Sequence, residues 1–308
     1  MGERVVRVGT RGSALAIAQT DEVVSALRRT WPEVRFKIVR ITPDGDRRKS
    51  VPLLSLGRGT FAKGVEEWLL DGRIDLAVHS AKDMPTTLPQ GLEIAAYPER
   101  KDARDAIVNG QNKGFYDLPV GARLGTSSPR RSGQLLAARP DIEIVPIRGN
   151  VDTRMSKVGE DGLDGVVLAA AGLERLGRIS EATEFLDPGL CSPDAGQGAL
   201  AVEILAEDEG MREMAEAVNH APTWAAVSAE RAFVDTIGGG CRVPVAAYAV
   251  PRGEYLDITT MACLPDGSRI YRDRTEAPLS DVNAAGREAA RSLMETGADS
   301  IVYGERES

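Results

Sequence analysis

Up to about Pro193 short apolar runs alternate with helical patterns, and twice a small polar turn joins the run to the helix, too weak an echo to be a repeat. Strands that alternate with helices build α/β layers around largely parallel sheets, and such sheets bind ligands beyond the carboxyl ends of their strands. Val5 to Val8 reads as a buried strand, Gly9 to Ser13 as the turn, and Ala14 to about Arg29 as the helix, with Ser13 suited to its N-cap. The order recurs weakly at Leu124, the turn Thr126-Ser127-Ser128, and a helix opened by Pro129, with Ser128 as cap.

That second unit places Arg130 and Arg131 in the first helical turn, where the helix dipole favours an anion instead. The apolar run Ile144 to Ile147 then delivers Arg148, and Arg154 follows. The spacing predicts an anion among these groups, although any one arginine could equally line a solvated face. Arginine is also the preferred cation, since only seven of the 38 Lys and Arg residues are lysine. Its planar fork suits two-pronged binding of carboxylate or phosphate.

With 308 residues the chain has room for two domains or three. A net charge of -8 argues against a nucleic-acid or anionic-membrane partner. Cys191, Cys241 and Cys263 cannot form a disulfide framework, and with only His79 and His220 beside them no zinc spacing emerges. The opening MGERVVRVGTRG lacks an apolar signal core and no apolar run could span a bilayer, so a cytoplasmic location is expected.

Further strands are expected at Phe36 to Ile41, Ile74 to Val78, Ile94 to Ala96, Gly165 to Ala169 and Ala199 to Ile204, and a helix at Phe61 to Leu70. Thr42 to Thr60 has neither hydrophobic period and reads as a lid. Composition shifts at Glu99 to Asp105 and at Asp194 to Gly198 suggest crossings between domains, and Ala171 to Gly177 reads as a turn. A helix through Glu230 to Thr236 leads to Gly238-Gly239-Gly240-Cys241. Strands at Val245 to Val250, Leu256 to Ala262 and Ser268 to Arg272, then a helix from about Asp281 to Glu295, suggest a small α+β unit.

No phosphate loop is present. Asp83, beside Lys82 at a strand end, is the one well-placed acid. By itself it could act as a general acid or base, stabilise a developing cation, or simply pair with an arginine. Cys241, after three glycines and before Arg242, could be a reactive thiol or a small buried hydrophobe.

Seven stretches, taken in order, resemble the hydroxymethylbilane synthase (porphobilinogen deaminase) family. They are Thr10 to Ala16 with Gln19, Ala77 to Pro85, Gly125 to Arg131, Arg148 to Arg154, Ala171 to Gly177, Gly196 to Ala199, and Gly239 to Pro244. The resemblance implies an enzyme that joins four porphobilinogen units head to tail, with loss of ammonia, into linear hydroxymethylbilane. It implies a dipyrromethane cofactor in thioether linkage to Cys241, and a monomer with no metal, nucleic-acid or membrane partner. It also implies two periplasmic-binding-protein-like lobes and a smaller C-terminal domain that carries the cysteine. The boundaries would be 1-98 with 198-218, then 99-197, then 219-308.

By the same resemblance Asp83 and Lys82 are catalytic, the carboxylate steadying an azafulvenium cation. The cofactor would be held by Cys241, Thr126, Ser127, Ser128, Arg130, Arg131, Lys82 and Asp83. Substrate carboxylates would meet Arg11, Ser13, Gln19, Phe61, Arg148, Arg154, Arg175 and Gln197. Three departures from the family pattern stand out: Ser55 and Arg58 where lysines are common, in a segment one residue short, and Gly238 where an acid is common. A non-catalytic anion receptor would explain the arginines but not the third domain. A phosphoryl-transfer enzyme lacks its loop.

Overall fold

A computed structural model describes residues 4–42, 59, 62–160, 162–238 and 244–303. In chain order the strands and helices are β1 (Val5–Arg11), α1 (Ala14–Thr30), β2 (Arg35–Ile41), α2 (Lys63–Leu70), β3 (Leu76–Ser80), β4 (Leu92–Ala96) and β5 (Asp105–Asn109). Next come β6 (Arg123–Gly125), α3 (Pro129–Ala138), β7 (Glu143–Val145), α4 (Val151–Met155), β8 (Gly165–Ala169), α5 (Ala170–Arg175) and β9 (Glu184–Phe185). The remainder comprises β10 (Leu200–Leu205), α6 (Glu209–Glu216), α7 (Ala221–Thr236), β11 (Val245–Arg252), β12 (Tyr255–Cys263), β13 (Ile270–Pro278), α8 (Val282–Leu293) and α9 (Asp299–Val302). The chain divides into two compact units, Met1–Lys101 with Ala199–Val227, and Asp102–Gly198 with Ser228–Ser308.

The first unit is built on a sheet of order β2-β1-β3-β10-β4. Val8 and Gly9 of β1 pair in parallel with Leu76 and Ala77 of β3, so Arg11 and Ser80 emerge at the same edge. Ser13 caps α1 by accepting from the Ala16 N–H at 3.2 Å, and thereby fixes where the helix begins. One face of the sheet packs Leu76, Val78, Val202 and Ile204 against Val23, Val24 and Leu27 of α1. The other packs Ala77 against Val65 and Leu69 of α2.

The second unit has a sheet of order β7-β6-β8-β5-β9 and a separate antiparallel sheet, β11-β12-β13, covered by α8. Gly133 in α3 is a point of close approach between the two parts, because a Cβ there would lie 2.4 Å from the Leu264 carbonyl oxygen and 2.5 Å from Cys263 Sγ. Only glycine permits that approach, although it lowers the helix propensity of α3.

The α/β class stands, and each five-stranded sheet is mostly parallel, with four strands running one way and a single reversed strand, β10 or β5, inserted among them. Among the described residues β1 pairs in parallel with β2 and β3, whereas β10 is antiparallel to β3 and β4. Likewise β6 is parallel to β7 and β8, while β5 is antiparallel to β8 and β9. The antiparallel strands are those in the segments where the chain passes from one unit to the other and returns, so local pattern gave no clue to their direction. Ala171 to Gly177, expected as a turn, is mostly helix α5, its apolar residues packed under β8. The helix expected from Glu230 starts nine residues earlier, at Ala221, and α2 starts at Lys63 among the described residues. Asp105, placed in a crossing, is the first residue of β5. Most of the Thr42 to Thr60 stretch lies outside the described residues, with Phe61 and Cys241.

Candidate active site

In the first unit the edge formed by β1 and β3 carries a cavity of about 70 Å³ lined by Arg11, Ser13, Gln19, His79, Ser80 and Asp83, among others. Parallel strands bring these together. Arg11 closes β1, Ser80 closes β3, and Asp83 ends the single 3-10 turn Ala81–Asp83 that follows. That turn is held by the Ala81 N–H, which donates to Ala199 O at 3.0 Å, and by Asp83 O, which accepts from the Gly59 N–H at 3.0 Å. Gln19, six residues beyond the α1 cap, donates from Nε2 to Ser80 Oγ at 2.7 Å. Helix α1 and strand β3 are thus locked together across the cavity floor. Lys82 sits half-buried on the same turn. Four residues chosen from the sequence for chemistry or substrate contact, Arg11, Ser13, Gln19 and Asp83, are therefore neighbours.

In the second unit Thr126, Ser127 and Ser128 form the turn as expected. Thr126 Oγ1 accepts from the Ser128 N–H at 3.2 Å, Ser127 Oγ donates to Ile147 O at 2.6 Å, and Ser128 Oγ caps α3. Between Arg130 and Arg131 stands a carboxylate of the chain itself. Asp105, with no exposed surface, accepts from Arg130 Nη2 at 2.8 Å and from Arg131 Nε and Nη2 at 3.0 and 2.6 Å. Gln197 Nε2 reaches the same carboxylate at 2.9 Å, and Cys191 Sγ lies 3.4 Å away. The two guanidiniums hold the Asp105 carboxyl well below the usual carboxylate range, against the opposing cost of its burial.

The arginines stand on a helix start and Asp105 on a strand start, and sequence spacing does not connect them. The available signal was an acid directly ahead of the apolar run Ala106 to Val108.

Two guanidiniums share one carboxylate, and a third lies close by. Arg154, half-exposed, donates from Nε to Gly149 O at 2.8 Å, and burial together with Arg131 lowers its pKa. Arg130 Nε is buried with no hydrogen-bond partner among the described residues. This surplus of positive charge and unused donor capacity fits a polycarboxylate. Arg175 is turned to Gly198 O at 3.0 Å, and Arg148 is exposed. Burial pushes the Cys191 thiol up to about 12 and the Cys263 thiol up to about 11, so both remain protonated and unreactive.

The family model "Porphobilinogen deaminase, dipyromethane cofactor binding domain" matches residues 6–213, and "Porphobilinogen deaminase, C-terminal domain" matches 224–295. The chain belongs to the porphobilinogen deaminase family. The porphobilinogen deaminase of Moorella thermoacetica is 46% identical over 298 residues, which is 96% of this chain and 95% of that one. The porphobilinogen deaminase of Thermus thermophilus is 46% identical over 300 residues, 97% of this chain and 98% of that one. A solved YaeC-family lipoprotein from Enterococcus faecalis aligns over 70% of this chain and 92% of its own at 13% identity, with a TM-score of 0.42. As a porphobilinogen deaminase the chain makes linear hydroxymethylbilane from four porphobilinogen units on a dipyrromethane cofactor. Among the described residues no helix is long and apolar enough to cross a membrane. Gly238, one of the departures, has a φ of 88°, a backbone state that glycine adopts without the steric cost an acidic residue would incur.

Proposed function

We propose that Asp83 is the reacting carboxylate of this porphobilinogen deaminase and that Cys241 carries the cofactor. The observation behind the first assignment is the cavity where Asp83 stands with Arg11, Ser13 and Gln19 at the ends of two parallel strands. Loss of ammonia from a porphobilinogen aminomethyl group leaves positive charge on the ring, and a carboxylate held on a hydrogen-bonded turn stabilises it where it develops. The same oxygen then accepts the proton released when the new carbon–carbon bond forms. Lys82, on the same turn, and Arg11 bind acetate and propionate groups and orient the ring.

The cofactor supplies the primer to which successive pyrroles are joined. Its carboxylates suit Arg130, Arg131 and Arg154, with Thr126, Ser127 and Ser128 at the adjoining turn. Arg148, Arg175, Gln197 and Phe61 complete the proposed substrate contacts. Cys241 is favoured as the attachment point because the other two cysteines are buried thiols with raised pKa values.

A three-domain division at 1-98 with 198-218, 99-197 and 219-308 is part of this reading. It is supported by three separate sheets and by the C-terminal family match. So is a cytoplasmic monomer, for which the acidic net charge of -8 at least disfavours polyanionic partners.

Intact-protein mass spectrometry tests the cofactor assignment. Active protein should carry the mass of two linked pyrroles, and Cys241→Ser should lack it. Active protein of unmodified mass would overturn the assignment.

A further inference from the structure

Beside the Asp83 cavity the sheet and helix α2 enclose three ionisable side chains in an otherwise apolar layer. On β3, His79 shares the α2-facing side with Ala77, and on β10, Glu203 points the same way because it pairs with Ala77 across the ladder. His79 Nε2 and Glu203 Oε2 lie 3.0 Å apart, with side chains 5% and 0% exposed. Glu66 of α2 faces them, buried at 4% exposure among Val65, Leu69 and Ala62. It is one helical turn from Ala62, which lines the cavity, and its N–H donates to Ala62 O at 3.0 Å. Glu66 Oε1 and Glu203 Oε1 are both buried without a hydrogen-bond partner among the described residues. Two buried carboxyls with idle oxygens beside one imidazole form a site that holds protons, because a buried charge or acceptor left unmatched is costly.

We propose that Glu66, His79 and Glu203 form a buried proton relay serving the cavity that holds Asp83. It rests on the reading of Asp83 as the reacting carboxylate. Each added unit breaks one C–N bond and one ring C–H bond and makes one C–C bond. The C–H electron pair returns to the ring, and the released proton must leave Asp83 before the next unit can react. His79 lines the same cavity and takes that proton, directly or through a water, with Glu203 orienting the ring and Glu66 sharing the charge. The proton returns to the cavity and departs with ammonia as ammonium, so the relay is unchanged after each cycle.

Burial and the neighbouring Glu203 raise Glu66 to about 7, while His79 opposes the rise. Glu66 is therefore poised to exchange a proton near neutrality. The other charged groups acting on it are Lys63 and Glu67, exposed on α2, while Arg11 and Asp83 line the cavity and Lys82 stands on the turn after β3. Two further pairs are already matched, Arg7 with Asp75 on the β1 side and Glu93 of β4 with Arg212.

Only two histidines occur in the sequence, so ring-labelled holoenzyme gives two imidazole signals that NMR can assign with His220→Gln. The wild-type His79 signal should respond to a titration near pH 7 that disappears in Glu66→Gln. The wild-type turnover should rise through about pH 7 as Glu66 becomes able to accept a proton. Glu66→Gln should lack that rise and lose roughly tenfold in kcat at pH 8, with KM unmoved. Glu66→Met provides a second variant that removes the proton-exchanging group without adding a charge. A His79 signal that is the same in wild type and Glu66→Gln across this pH range, or pH–rate profiles that superimpose on wild type, would overturn the relay while Asp83→Ala remains inactive. Normal turnover in Asp83→Ala would instead overturn the site assignment, and the relay with it.

Discussion

Asp105→Asn is the sharpest perturbation this fold offers. Asp105 is fully buried and receives Arg130, Arg131 and Gln197, with the Cys191 thiol beside it. Asparagine keeps the shape but replaces one acceptor oxygen with an NH2 group. If that group takes the Oδ2 place, it opposes Arg130 Nη2 donor to donor. If it takes the Oδ1 place, it opposes Arg131 and Gln197. Either way two guanidiniums, 5% and 6% exposed, lose the charge that both of them hydrogen-bond.

Removing one partner of a buried ion pair costs about 3–5 kcal/mol. For a unit of this size that corresponds to a fall in Tm of roughly 6 to 20 °C. Urea unfolding of wild type, Asp105→Asn, Arg130→Met and the double variant would measure it, and the double variant should cost less than the two singles summed. The pH dependence has a definite sign. A carboxyl whose folded pKa is lowered contributes stability above its ordinary value and loses it as pH falls through the lowered one. The gap between wild type and Asp105→Asn should thus stay constant from about pH 8 to pH 5 and narrow below about pH 4. A loss under about 1 kcal/mol, or strict additivity in the double variant, would refute the reasoning.

Two further outcomes follow from the site and the packing. Asp83→Ala should fold with the wild-type far-UV and near-UV spectra yet release no ammonia from porphobilinogen, since the cavity keeps Arg11 and Gln19 but loses its carboxylate. Gly133→Ala should lower stability by about 1–3 kcal/mol in a denaturant titration, because its Cβ would meet Leu264 O at 2.4 Å. A neutral or stabilising result would mean that α3 can shift away from Leu264, and that helix propensity outweighs the contact.

Local chemistry made much of the edge that carries Asp83 readable from residues alone. Ser13 and Ser128 are N-caps because a hydroxyl ahead of a helical pattern finds a free backbone N–H within three residues. Strands β1, β3 and β8 announced themselves by apolar runs, and Asp83 was flagged by its place after β3. The order of family-like motifs then supplied an activity that no spacing argument could reach.

Tertiary structure decided the partners. Asp105 lies 25 residues from Arg130 and 92 from Gln197 in sequence, and Glu203 lies 124 from His79. Nothing within a window of one helix or strand couples them. They meet because β5 and β10 each enter a sheet antiparallel to their neighbours, a direction set by the global path of the chain and not by local pattern. An arginine pair reads alike in sequence whether its carboxylate comes from a ligand or from the chain, because both satisfy the same guanidinium charge and geometry, and only folding brings the second kind into place.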